Sequence, residues 1–169
     1  MTNGERTEAL RAPASEPTAV PLRLKSFRYS RALAHVKHVG TFPLFHYRRL
    51  AQQAGFDDAV FVDAGGSISE GSIWNIGFFD GDGIVWPDAP QLAGVAMQLL
   101  QAGLARAGIA SAVKPVALSE IDRFWSAFFT NSSNPVRPIA SIDAVGFEPD
   151  PALASRLRDA YDSNPLQSI

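Results

Sequence analysis

Between positions 57 and 87 the chain reads DDAVFVDAGGSISEGSIWNIGFFDGDGIVWP, and no other stretch limits the possible folds so tightly. Residues 59–62 are an apolar run rich in β-formers, Gly65-Gly66 supplies a turn, and residues 67–70 make a polar step. A second strand-like run covers 73–79, Asp80-Gly81-Asp82-Gly83 is a hairpin signal, and 84–86 is the return strand. The stretch therefore predicts a β-meander. Glu70 is the one residue that the meander does not require. From pattern alone it is either a surface glutamate at a loop edge or a carboxylate facing a buried site, with Gly71 and Ser72 beside it.

The remaining bounds are loose. The chain of 169 residues suits one well-buried domain, and 46% hydrophobic against 19% charged residues is the balance of a globular protein. A formal charge of −2 gives no general attraction to nucleic acid or acidic membranes. The absence of cysteine excludes disulfides, thiolate metal sites and a cysteine nucleophile. His35, His38 and His46 fall close together but with no acidic residue among them, so they read as local polar residues and no metal is expected. No apolar run is long enough to span a bilayer and no signal core opens the chain, which leads to a cytoplasmic expectation.

Residues 1–21 lack periodicity and read as a flexible tail or linker remnant, leaving 22–169 as the domain. Residues 22–31 alternate apolar and basic and predict a strand; 32–40 are irregular and carry Lys37. A helix is predicted over 42–54, capped by Thr41, with Phe42, Phe45, Leu50 and Ala54 inward and Gly55 as its stop. A second helix is predicted over 94–107, with Val95, Leu99, Leu100, Leu104 and Ala107 inward. Strands follow at 112–116, 124–130 and 136–142, the last broken by Pro138, with a helical turn at 119–123 capped by Ser119. A closing helix over 151–161 has Asp150 as its cap. The sum is an α/β (α+β) chain.

Lys37 is one of three lysines and has two readings, a solvated lysine or a Schiff-base amine. Residues 92–96 open a helix and offer free backbone N–H groups to an anion, and 130–133 offer hydroxyls and turn amides. A lysine for an aldehyde, a carboxylate for a basic ring nitrogen and amides for a phosphate together describe pyridoxal 5'-phosphate.

From about Leu22 to Gly146 the chain resembles the cofactor-binding half of the fold-type IV (class IV) pyridoxal-phosphate enzymes, which include branched-chain and D-amino acid transaminases and aminodeoxychorismate lyase. The resemblance is carried by Val36-Lys37-His38, by Gly55-Phe56-Asp57-Asp58-Ala59, and by Val62-Asp63, Gly66, Ile68, Glu70-Gly71 and Asn75-Ile76 in order. Trp86-Pro87, Leu92, Gly94-Val95 and the run from Phe129 to Pro138 continue it.

The resemblance implies a twisted mixed sheet or pseudo-barrel with packed helices, like the large domain of the D-amino acid aminotransferase group. It implies that Lys37 forms the Schiff base and moves the proton at the substrate Cα. Glu70 would pair with the pyridine nitrogen, and Val95, Ala96, Ser132 and Ser133 would hold the phosphate. Ala96 stands where the family usually has Thr, and Phe42 where branched-chain transaminases carry Tyr. The implied activity is an aminotransferase acting on amino acids and keto acids. The alternatives are a lyase of the aminodeoxychorismate type, or a truncated, non-catalytic domain that retains the fold. The family's N-terminal small domain is expected to be missing from this chain, so a homodimer or a partner chain supplying that half is expected.

Overall fold

The computed structural model describes residues 20–165. All but the last two residues of the tail read at 1–21 lie outside them. In order, the elements are β1 (Leu22–Arg28), α1 (Phe42–Gln53), β2 (Asp58–Val62), β3 (Ile68–Gly71), β4 (Asn75–Phe79) and β5 (Ile84–Pro87). Then come α2 (Val95–Arg106), β6 (Ser111–Lys114), a 3-10 turn (Leu118–Arg123), β7 (Ser126–Thr130), β8 (Arg137–Ile142), β9 (Val145–Gly146) and α3 (Pro151–Asp162).

The strands form one mixed sheet in the order β3-β2-β1-β8-β7-β4-β5-β6, with β9 paired to β8. Of its parallel pairs β1/β2, β5/β6 and β1/β8, the first two are each joined through a helix, α1 and α2, because parallel strands cannot be linked by a tight turn. The sheet curls until its two ends meet. Beyond β6 the Val116 carbonyl accepts from the Ile68 amide at 2.8 Å, and the Leu118 amide donates to Gly66 at 2.9 Å. This closure is the expected pseudo-barrel.

Three apolar clusters hold it. One joins Leu24, Val60, Ile68, Ile76, Phe78 and Ile139. A second packs α2 and α3 on the sheet through Trp86, Leu100, Leu104, Phe128 and Leu157. A third seats Leu44 and Ala51 of α1 on Ala59 and Phe61. Each large side chain so buried contributes about 1.5–3 kcal/mol of transfer free energy. Between α2 and α3 the backbones touch: a Cβ on Gly103 would lie 1.9 Å from the Ala160 carbonyl oxygen.

The helix faces differ from the expectation. In α1 the buried residues are Leu44 and Ala51, with Phe42 and Phe45 exposed and Ala54 past the end. The aromatic floor of Phe27, Tyr29 and Phe61 meets Tyr47, which sits on the same face at spacings of three and four, and that floor sets the rotation. In α2 the inward set is Ala96, Met97, Leu100, Gly103 and Leu104; Val95 and Ala107 point to solvent. Here the close approach at Gly103 fixes the face. The polar step read at 67–70 falls largely in strand β3, because Ser69 and Glu70 find partners inside the protein.

Pro138 does not break its strand. It pairs opposite Phe128, and the β1 pairing starts one residue later at Ile139. Thr41 occupies the α1 N-cap position without a capping bond, its hydroxyl donating back to the Val39 carbonyl at 3.3 Å, and the 118–123 turn is entered from Ala117 and not from Ser119. Asp150 does cap α3, accepting from the Leu153 amide at 2.9 Å. No helix among the described residues is long and apolar enough to cross a membrane.

Candidate functional site

Glu70 lies on β3 and is 7% exposed. The turn that follows explains how it is held. The Gly71 amide donates to the Trp74 carbonyl at 2.9 Å, and the Trp74 indole lies against Gly71 so closely that a Cβ there would sit 2.1 Å from the ring. The indole Nε1 donates to buried Asp58 at 3.0 Å. Burial raises the Glu70 pKa above its usual value; the Leu92 amide and Arg31 oppose that rise without cancelling it.

Arg31 follows β1 and opens the irregular passage that carries Lys37. Its Nε donates to Glu70 Oε1 at 3.0 Å and its Nη2 reaches Oε2 at 3.5 Å. The same guanidinium donates to the carbonyls of Ala34 and, at 3.4 Å, Val36. Leu33 turns the chain with φ +51°, an uncommon backbone for a leucine. Beyond Lys37, His38 meets the Ala32 carbonyl through Nε2 at 3.1 Å and accepts from the Gly40 amide through Nδ1 at 3.0 Å. The segment is thus pinned on both sides of Lys37, whose side chain is exposed.

The other face of Glu70 leads to α2. The Leu92 amide donates to Glu70 Oε2 at 3.0 Å, and the Leu92 carbonyl accepts from Asn75 Nδ2 at 2.6 Å. Asn75 also bonds Gln91, and a Cβ on Gly94 would lie 2.3 Å from its Oδ1. Gly94 begins α2 in an extended conformation with no side-chain cap and no acidic residue in the first turn. The amides of Val95 and Ala96 are therefore at an uncapped, positive helix end.

Asn75 pairs opposite Thr130, where β7 runs into the loop with Ser132 and Ser133. That loop is shaped by Asn131 Oδ1, which accepts from the amides of Ser133 and Asn134 at 3.0 and 2.8 Å. The Thr130 Oγ1 is buried without a partner, as is Ser72 Oγ.

The groups singled out in the sequence thus fall along one connected path. It runs from the Lys37 segment through Arg31 to Glu70, then through Leu92 to Asn75 and Thr130. Ala96 is buried, whereas Lys37, Val95, Ser132 and Ser133 are exposed. Arg31 and Asn75 were not among the candidates. Asn75 left a signal, a polar residue opening an apolar strand; Arg31 left none. The donor set suits pyridoxal 5'-phosphate: an amine, a buried acid, and an uncapped helix end beside an unpartnered hydroxyl. A separate cleft of about 430 Å³ lies near the opposite end of α2, lined by Arg106, Ile109, Arg156 and Ser163. Arg106 there sits at the negative end of its helix, which accounts for it.

The sequence model of the family described as Amino-transferase class IV matches residues 5–142. No curated protein matches the chain. Among solved structures, a fold IV transaminase from Curtobacterium pusillum superposes with a TM-score of 0.77 at 18% identity, over 88% of this chain and 55% of that one. A branched-chain amino acid aminotransferase from Thermobaculum terrenum, in its PLP form, gives 0.76 at 22% identity over 85% and 50%. A Legionella pneumophila protein named as a candidate 4-amino-4-deoxychorismate lyase gives 0.76 at 22%, over 83% and 55%. At these identities the likeness shows the fold. The chain spans about half the length of the structures it matches.

Proposed function

This chain belongs to the class IV aminotransferase family, and from that premise we propose that it carries the pyridoxal 5'-phosphate half of an aminotransferase site. When bound, that cofactor supplies an aldehyde for an amine and a ring that withdraws electrons from a carbanion at the substrate Cα.

Lys37 would be the amine that holds the aldehyde, and the same amine would hold and return the proton at the substrate Cα. Glu70 would pair with the ring nitrogen and keep it protonated. A carboxylate can do so only while ionised, and Arg31 with the Leu92 amide favours that form. The Val95 and Ala96 amides, with Ser132 and Ser133, would hold the phosphate; Ala96 leaves one hydroxyl fewer than the family's usual Thr.

The observation that carries this reading is Glu70. It is a buried acid bonded on one side to the arginine that brackets the Lys37 segment and on the other to the backbone leading into α2. Lys37 is exposed, so a site built on it calls for a covering wall, of the kind the longer relatives have length to supply. Exposed Leu33, Val39 and Phe42 beside it favour association with a second copy.

Incubation with pyridoxal 5'-phosphate followed by borohydride should fix the cofactor to Lys37, located by peptide mass spectrometry. Label spread over Lys25, Lys114 and the amino terminus would overturn the assignment. Of the two reactions, we favour transamination, tested by exchange of amino groups between amino acids and keto acids. Pyruvate release from aminodeoxychorismate without such exchange would instead support the lyase reading.

A further inference from the structure

We propose that Arg31 is the positioning residue of this site, one guanidinium that sets the place of Lys37 and the charge of Glu70 together. The inference rests on the cofactor reading above and deepens it.

The geometry is that of a bracket. Arg31 faces the Glu70 carboxylate with Nε at 3.0 Å and Nη2 at 3.5 Å, and its side chain is 7% exposed. Its remaining donors reach back to the carbonyls of Ala34 and Val36, which precede Lys37 by three residues and by one. A guanidinium is planar and its donors are fixed relative to one another. The carboxylate and the backbone that carries Lys37 are therefore held in a single frame. If either shifts, the arginine moves and disturbs the other.

A simple buried ion pair would not need this arrangement. Such a pair gains little over apolar side chains of the same volume, because both charges must be desolvated. The two carbonyl contacts stabilise nothing for Glu70; they fix a segment that contains a left-handed leucine and a single turn bond, from the Val36 amide to the Leu33 carbonyl at 2.8 Å. The charges that face Glu70 are Arg31 and, from β1's end, the Tyr29 phenol, with the Leu92 amide as the remaining donor. Only Arg31 among these is a cation, so it alone supports the ionised acid against burial.

Two substitutions separate the two roles. Arg31→Lys keeps a positive charge but cannot span the carboxylate and both carbonyls; Arg31→Gln removes the charge as well. Three measurements read them: amide hydrogen exchange of residues 34–37 without cofactor, the pH titration of the Glu70 carboxyl by carbon NMR, and equilibrium affinity for pyridoxal 5'-phosphate. Exchange at 34–37 should quicken at least tenfold in both variants. Glu70 should titrate at higher pH in Arg31→Gln and stay near the wild-type value in Arg31→Lys. Affinity should fall at least tenfold in Arg31→Gln and less in Arg31→Lys.

Should Arg31→Gln fail to fold, the neutral pair Arg31→Gln with Glu70→Gln carries the exchange measurement, with the same expected increase. Wild-type exchange at 34–37 in these variants, or full recovery of all three readouts by lysine, would overturn the bracket. Exchange and carboxyl titration are read without cofactor. A wild-type protein that gives no Lys37 adduct therefore defeats the functional reading while these two still decide the role of Arg31.

Discussion

Gly71→Ala tests the wall beside the carboxylate. The added Cβ would lie 2.1–2.3 Å from three ring atoms of Trp74, too close for any contact, and the atoms met are in the body of the indole and not at a flexible tip. Trp74 is 5% exposed and packs on Phe129 with ring centroids 5.2 Å apart, so it has no free space to enter. Overpacking of this kind costs about 1–3 kcal/mol. Displacing the indole also breaks the 3.0 Å bond to Asp58, which is 4% exposed, and a lost hydrogen bond to a buried charge adds about 1.5–3 kcal/mol.

The terms share one ring movement, so the sum to expect is about 3–5 kcal/mol, or a fall in Tm of about 10 °C for a chain of this size. Urea unfolding of wild type, Gly71→Ala, Trp74→Phe and the double variant gives both the cost and the coupling. The smaller ring should relieve part of the alanine's penalty, so the double variant should be more stable than the sum of the singles implies. Gly71→Ala should also weaken pyridoxal 5'-phosphate binding, because the turn it distorts positions Glu70. A stability loss below about 1 kcal/mol, or strict additivity, would refute the claim that the indole closes this position.

Other outcomes follow from the same geometry. Lys37→Ala should abolish the borohydride-fixed adduct yet leave stability within about 0.5 kcal/mol, since its side chain is exposed; a thermal scan with mass spectrometry checks both. The Glu70 pKa is raised, so from about its usual 4.5 upward the folded state holds a proton that the unfolded state has lost. Stability relative to Glu70→Gln should therefore decline as pH rises through that window, and urea titrations at several pH values should show the slope. Asp143 behaves oppositely: burial pushes its pKa up, but bonds from Lys25 and from the Ser26 side chain and amide outweigh that and lower it. Its contribution is present above the usual 3.8 and lost as pH falls through the lower folded value, so Asp143→Asn should cost about 1–3 kcal/mol at neutral pH and little in strong acid.

The two hairpins β2–β3 and β4–β5 were legible because their signals are local, but they do not form the expected meander: β1, β8 and β7 lie between β2 and β4 in the sheet. Apolar runs, Gly66 at φ +89° and the Asp80-Gly83 turn each act within a few residues. The closure of the sheet was not legible from such signals, since it joins residues 66–68 to 116–118 through backbone bonds that any side chain could make. It entered the expectation only through the family resemblance. Helix faces were misjudged for a related reason. Phe42 and Phe45 are apolar, but which side of α1 turns inward is decided by Phe27, Tyr29 and Phe61 on other elements.

The site divides along the same line. Glu70 stood out because an acid beside Gly71 in an apolar meander conflicts with its surroundings, and such conflicts mark places where something other than packing decides the residue. Arg31 conflicts with nothing in its own neighbourhood; its meaning depends on a partner 39 positions away. What the fold adds is the division between an enclosed end and open ones. Glu70, Arg31, Gly71 and Asn75 are bound into the protein interior, whereas Lys37, Val95, Ser132 and Ser133 face solvent. On the proposed reading, changes at the enclosed end should disturb folding and cofactor binding together, because the same bonds would serve both. Changes at the exposed ends should leave the scaffold intact and act on the proposed chemistry or phosphate binding alone, so variants there report most directly on the proposed function.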